Sequence, residues 1–191
     1  MAASVVSIWN RALQLVGAQM VVSTDQDSRN ARACKKAWEM VRQGEFRAHN
    51  WSCLIKRVAL AASTTAPTFN KAYAYPLPDK FLRLLPPDPE SNSIDLDHQI
   101  EGSTIVTNES EPLYIRYIED SEVVNQYDSL LREALAAALA LAICEEITGS
   151  NSKIQNAQTL YENSIRKAKR NNAIETRPAI SPDSEWLYRR N

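Results

Sequence analysis

Glu145 and Glu146 form the first pair in this chain that invites a chemical reading. Two carboxyl groups acting on a glycosidic bond must flank it, about 5 Å or more apart. Adjacent positions on a helix point about 100° apart, so these two do not converge on one substrate. They are read as the exposed end of a helix. Asp25, Glu101 and Glu109 are loop acids with no assignable partner. His49, next but one to Trp51, has no nucleophile motif near it and reads as structural. No G-x-S-x-G turn is present, and the four glycines make no phosphate cradle. Cys34, Cys53 and Cys144 include no C-x-x-C pair, and His49 and His98 are the only histidines. That is not the spacing of a zinc site. Cys34 and Cys144 fall in apolar helical stretches, where cysteine acts as a small hydrophobe and suits a reducing cytosol. No metal, no cofactor and no enzymatic activity are expected.

The elements that would hold these residues follow from periodicity. Val5, Ile8, Trp9, Ala12, Leu15 and Val16 recur at helical steps, and Gly17 sits where a C-terminal glycine ends a helix. A second helix is expected from about Ser28 to Ala48. One face carries Ala31, Cys34, Trp38 and Val41; the solvated face carries Arg32, Lys35, Lys36, Glu39 and Arg42. These two helices are expected to be antiparallel neighbours. From Trp51 to Val58 the pattern alternates like a strand. Tyr73 to Pro78 is extended because each proline restricts the residue before it. Phe81–Leu85 and Leu113–Ile118 read as strands, and Asp97–Thr107 as a hairpin around Gly102. Four or five short strands in one antiparallel sheet are expected.

Asp128 or Ser129 then caps an Ala/Leu helix over 130–148 that is apolar on nearly every side, as a central helix is. Gly149 ends it. The last helix presents Ile154, Ala157, Tyr161, Ile165 and Ala168 inward. The fold class expected is mainly α, with a four-helix bundle-like core and a small antiparallel β module at about 51–118 between helices 2 and 3. This domain covers 1–174, and 175–191 is an extended C-terminal arm.

At 191 residues the chain is long enough to bury a core. Lys plus Arg number 22 against 23 Asp plus Glu, so there is no global field for nucleic acid or an acidic membrane. The start, Met1-Ala2-Ala3-Ser4, lacks the charged region of a secretory leader. The apolar run from Ala134 to Cys144 is far short of the roughly 18 residues of a membrane span.

Four pieces, in order, resemble the tail tubular protein A family, the head-to-tail adaptors of short-tailed phages. They are Ala12-Leu13-Gln14-Leu15-Val16-Gly17; Phe46-Arg47-Ala48-His49-Asn50-Trp51; Tyr75-Pro76-Leu77-Pro78-Asp79 with Leu82-Arg83-Leu84; and Ile147-Thr148-Gly149-Ser150. The resemblance implies a structural virion protein, made in the host cytoplasm. About a dozen copies would form a ring between the portal protein and the tail nozzle protein, with double-stranded DNA passing through the lumen without sequence recognition. It also implies that the C-terminal segment reaches the portal. The alternative class is a tail-associated peptidoglycan hydrolase.

Two stretches carry the partner expectations. Trp186, Leu187, Tyr188, Arg189 and Arg190 are the types that anchor interfaces, and are read as docking on the portal or a neighbouring subunit rather than on the chain's own helices. Arg166, Lys167, Lys169 and Arg170 are placed in the last turns of a helix. There they complement the helix dipole; the sharper reading is a patch facing the lumen or an acidic partner.

Overall fold

The computed structural model of the chain describes residues 3–86 and 97–175. The fold is mixed α/β: four helices and two small antiparallel sheets of three strands each. Helices α1 (Val5–Val16) and α2 (Arg29–Ala48) come first, strands β1 to β6 follow, and α3 (Ser129–Thr148) and α4 (Asn151–Glu175) close the described chain.

Local signals fix the helix ends. Ser4 and Ser7 bond each other's backbone N–H groups in a capping box at the start of α1. Gly17, at φ 70°, ends α1 in the left-handed conformation, and its N–H and that of Ala18 bond back to the Gln14 and Leu13 carbonyls. Ser28 caps α2 and Asp128 caps α3. In α3, Leu131, the run Ala134–Ala140, Ile143 and Cys144 are buried around the whole circumference. It is the central helix, and its alanines let neighbours approach closely.

Helices α1 and α2 are not each other's main neighbours, contrary to the sequence expectation: each packs chiefly on α3, as does α4. The physical reason is that α3 offers apolar surface on every side. Arg11 of α1 reaches α3 with a two-pronged bond to Glu133, and Lys153 of α4 donates to the Val16 carbonyl at 3.0 Å.

The β module is two sheets, not one. The first has the order β1 (Ile55–Leu60), β6 (Leu113–Glu119), β3 (Phe81–Leu84); the second has β2 (Tyr73–Pro76), β5 (Thr104–Thr107), β4 (His98–Glu101). Leu60, Leu113, Ile115 and Tyr117 from the first share a buried cluster with Tyr75 and Ile105 from the second, so the sheets pack face to face. β4 and β5 are the expected hairpin. Its two-residue turn has positive φ at Gly102 (59°), where an L side chain would be strained. The strand expected from Trp51 begins only at Ile55, because Ser52–Leu54 is a 3-10 turn and Leu54 is buried in the helical core.

The helical core is continuous and includes Ile118 from β6 and Leu85 just past β3. Arg42 fastens the seam. Its Nε and Nη2 donate to the two oxygens of Asp120 at 3.0 and 2.9 Å, and Gln43 adds a third bond at 2.8 Å. The side chains of Arg42 and Asp120 are 9% and 15% exposed. Arg42 therefore does not belong to the solvated face of α2, where helical spacing puts it. The β module folds back over that turn and supplies the carboxylate that lets it be buried.

Candidate functional site

The functional residues read from the sequence separate into three groups in space. The arm residues Trp186, Leu187, Tyr188, Arg189 and Arg190 lie outside the described residues. Glu145 and Glu146 stand at the end of α3. The Glu146 side chain lies 3.8 Å from Lys36, and its backbone carbonyl accepts from Arg29. Glu146 is thus tied to the first half of α2. The third group, on α4, meets elements the sequence did not connect to it.

Arg166, Lys167, Lys169 and Arg170 are all exposed on α4. They do not occupy its last turn, because the helix continues through Asn171–Glu175 and carries no basic residue there. The dipole account weakens accordingly, since that effect falls off within the terminal turn. What the extra turn brings in is Asn172. Its Oδ1 accepts from the Ser52 N–H at 2.8 Å, and its Nδ2 donates to the Asn50 carbonyl at 2.8 Å and lies 3.3 Å from His49 Nε2. One side chain thus ties the end of α4 to the turn between α2 and β1.

His49 sits in the middle of this knot. Its ring meets Trp51 edge-on, with centroids 4.7 Å apart and planes at 72°. Trp51 is buried and donates through Nε1 to the Glu45 carbonyl at 2.9 Å. Burial holds the imidazole below its usual range, and the nearby charges of Lys169 and Arg83 push it the same way. Arg83, from β3, donates to Asn50 Oδ1, and Arg47 donates to the Leu82 carbonyl. The junction therefore brings four elements together and carries Arg47, Arg83 and Lys169 around a neutral histidine. The Glu45 carboxylate, one turn before His49, is engaged by the Tyr161 hydroxyl at 2.7 Å. Burial, with that hydrogen bond, pushes the Tyr161 hydroxyl up to about 12.

The cysteines behave as the sequence reading has it. Cys34 and Cys144 are fully buried, and burial pushes the Cys34 thiol up to about 12, away from thiolate chemistry. Among the described residues no group of His, Cys, Asp and Glu is arranged to hold a metal ion. No described helix is long and apolar enough to cross a membrane.

Sequence reasoning missed two features. One is the burial of Arg42, which only the tertiary seam explains. The other is Arg83. A register shift between Phe81 and Arg83 on β3 inserts Leu82, which packs against the helical core. Such a bulge re-aims the side chains after it. A scan against protein-family models finds no match to this chain, and a search of curated proteins finds none either.

Proposed function

We propose that this chain is a non-enzymatic adaptor of a phage neck, one subunit of a ring between portal and tail nozzle through which DNA passes. The observation that carries this reading is the ordered set of four resembling segments. Ala12–Gly17 is the capped close of α1. Phe46–Trp51 ends α2 and turns into the β module at the His49 knot. Tyr75–Asp79 and Leu82–Leu84 belong to β2 and β3 and the turn between them. Ile147–Ser150 closes α3 at Gly149, in the left-handed conformation at φ 58°. All four are places where the chain ends an element or changes direction, so their order and spacing carry fold information that composition does not.

In this reading the four helices act as one bundle-like core and the β module projects sideways to meet the next copy. The arm, 175–191, latches the ring to the portal through Trp186, Leu187 and Tyr188. The exposed cations Arg166, Lys167, Lys169 and Arg170 face an acidic partner or the lumen. The chain stays monomeric or weakly associated until the portal gathers it, because its large apolar side chains are mostly used in its own two cores. Each docked subunit then raises the local concentration of its neighbours.

The test is negative-stain imaging of the full chain mixed with the portal of the same phage, beside a chain stopped after Arg177. A ring under the portal with the full chain, lost on truncation, is the expected result. No added density with the full chain would reject the adaptor reading. A ring that survives truncation would keep the function and remove the arm as latch.

A further inference from the structure

Arg42 and Arg83 each present the guanidinium edge formed by Nε and Nη2, and the fold treats the two edges differently. On Arg42 both donors meet the paired oxygens of Asp120. On Arg83 the Nη2 donates to the single amide oxygen of Asn50, while Nε is buried with no acceptor among the described residues. A buried donor without an acceptor is costly, and a bound ion is one of the few ways to meet it. Asn50 is exposed, so its side chain is free to leave this edge. An oxyanion that displaces it meets both donors at once, as the Asp120 carboxylate does on Arg42.

The surroundings of this edge are cationic. Lys169 lies three residues before Asn172 on α4, hence on the same face. Asn172 holds the Asn50 carbonyl and lies 3.3 Å from the His49 ring. The charges of Lys169 and Arg83 both act on that ring, whose other neighbour is Trp51. Arg47 donates to the carbonyl of Leu82, the residue before Arg83. Among the described residues none of Arg47, Arg83 and Lys169 forms an ion pair. The acids closest along the chain, Glu45 on α2 and Glu175 at the end of α4, accept from Tyr161 at 2.7 Å and from Asn171 at 3.0 Å.

We propose that the junction of α2, β3 and α4 is a binding site for a phosphate dianion, its oxygens taken by the Nε–Nη2 edge of Arg83 and by Lys169, with Arg47 adding charge. Several cations without a carboxylate partner favour a dianion over a single carboxylate. The guanidinium edge matches two phosphate oxygens, and the ammonium acts as a point charge. His49 makes the site responsive: a bound dianion favours the charged imidazole, so binding tightens as His49 takes up a proton. The proposal does not rest on the neck reading, and either can fail alone.

The experiment is an NMR titration of the full chain with sodium phosphate, and separately with phenyl phosphate, at pH 7.5 and an ionic strength held constant with sodium chloride. The expected result is a saturable shift of the Arg83 Nε–H and Asn50 side-chain signals. The His49 titration should also move to higher pH in sodium sulfate, a dianion throughout, relative to chloride of equal ionic strength, while His98 in the second sheet does not follow. R83K keeps the charge but loses the edge, and should weaken phosphate about tenfold. Asn50→Asp puts two oxygens of the chain's own on that edge. It should abolish the phosphate response and leave the unfolding midpoint equal or higher. A stronger response to phenyl phosphate keeps the proposal and assigns the site to phosphate monoesters; one no stronger keeps it and assigns free phosphate. Shifts that chloride alone reproduces overturn it, since the cations are then only being screened. Phosphate binding that ignores both R83K and Asn50→Asp overturns it as well, and so does the absence of any saturable shift.

Discussion

The helical half and the β module solve the same problem in different ways. The helices surround one central rod, α3, and bury a continuous core that includes Trp9, Phe46, Trp51 and Leu139. The module closes a much smaller cluster between two short sheets. Charges also differ. In the helical half the ion pairs join opposite signs across elements, Arg11 with Glu133 and Lys36 with Glu146. The module does this too, with Lys71 and Asp97 at 2.7 Å. On one face of its first sheet, however, two arginines stand in register, an arrangement that strand pairing alone disfavours. The helical half therefore rests on one large core around a rod, and the module on cross-strand register between two short sheets.

The largest effect should come from breaking the seam between the halves. Asp120→Ala strands the buried guanidinium of Arg42 and should cost about 3–5 kcal/mol, read as a fall in the urea midpoint. Replacing both partners, R42M/D120L, should recover most of that loss, since an apolar pair of similar volume avoids the desolvation. A loss below about 1 kcal/mol for Asp120→Ala would mean that apolar contacts alone join the halves, because breaking a buried pair normally costs several times that.

The second effect compares the two cores directly. Leu135 in α3 is fully buried and Leu113 in β6 is 4% exposed. Leu135→Ala should cost about 4 kcal/mol, because helices packed on every side of α3 cannot close the cavity. Leu113→Ala should cost about 2 kcal/mol, because short sheets can settle toward each other. Equal losses would show that the module is packed as rigidly as the rod, and the distinction drawn above would fail.

Much of the fold is legible in the sequence because it rests on local signals. Ser28, Asp128, Gly17 and Gly149 mark helix ends through their own backbone chemistry, and Gly102 marks the hairpin. The Ala/Leu run of α3 announces a central helix by having no polar face. What was not legible depends on distant partners. Nothing near Arg42 reveals that Asp120 will arrive from just past the end of β6. Nothing in Phe81–Leu84 reveals the bulge that sets Arg83 opposite Ile118. The division into two sheets follows from pairings such as β1 with β6, between segments more than 50 residues apart. Of the candidate site, the basic run on α4 was visible as composition. Its junction with His49, Asn50 and Arg83 was not, because Asn172 reads as one more polar residue on a polar face.

The smallest effect sharpens the comparison at that junction, where the end of α4 meets the base of the module. The folded pKa of His49 lies below its ordinary value through burial and the charges of Lys169 and Arg83. The unfolded chain therefore binds a proton more readily than the folded one. Stability from this site is complete above the ordinary histidine value of about 6.5 and is lost as pH falls below it, toward the lower folded pKa. The quantity to measure is the difference between the native chain and His49→Gln in urea denaturation from pH 7.5 down to 5, since changes common to both chains cancel in it. Glutamine cannot take up the proton, so the difference should change with pH in this window, with the native chain losing ground on acidification. Hydrogen exchange should place the loosening in the last turn of α4, where Asn172 holds Asn50 and Ser52. A pH-independent difference would mean that the imidazole titrates as it does in water, and that the cations drawn together at the junction do not act on it.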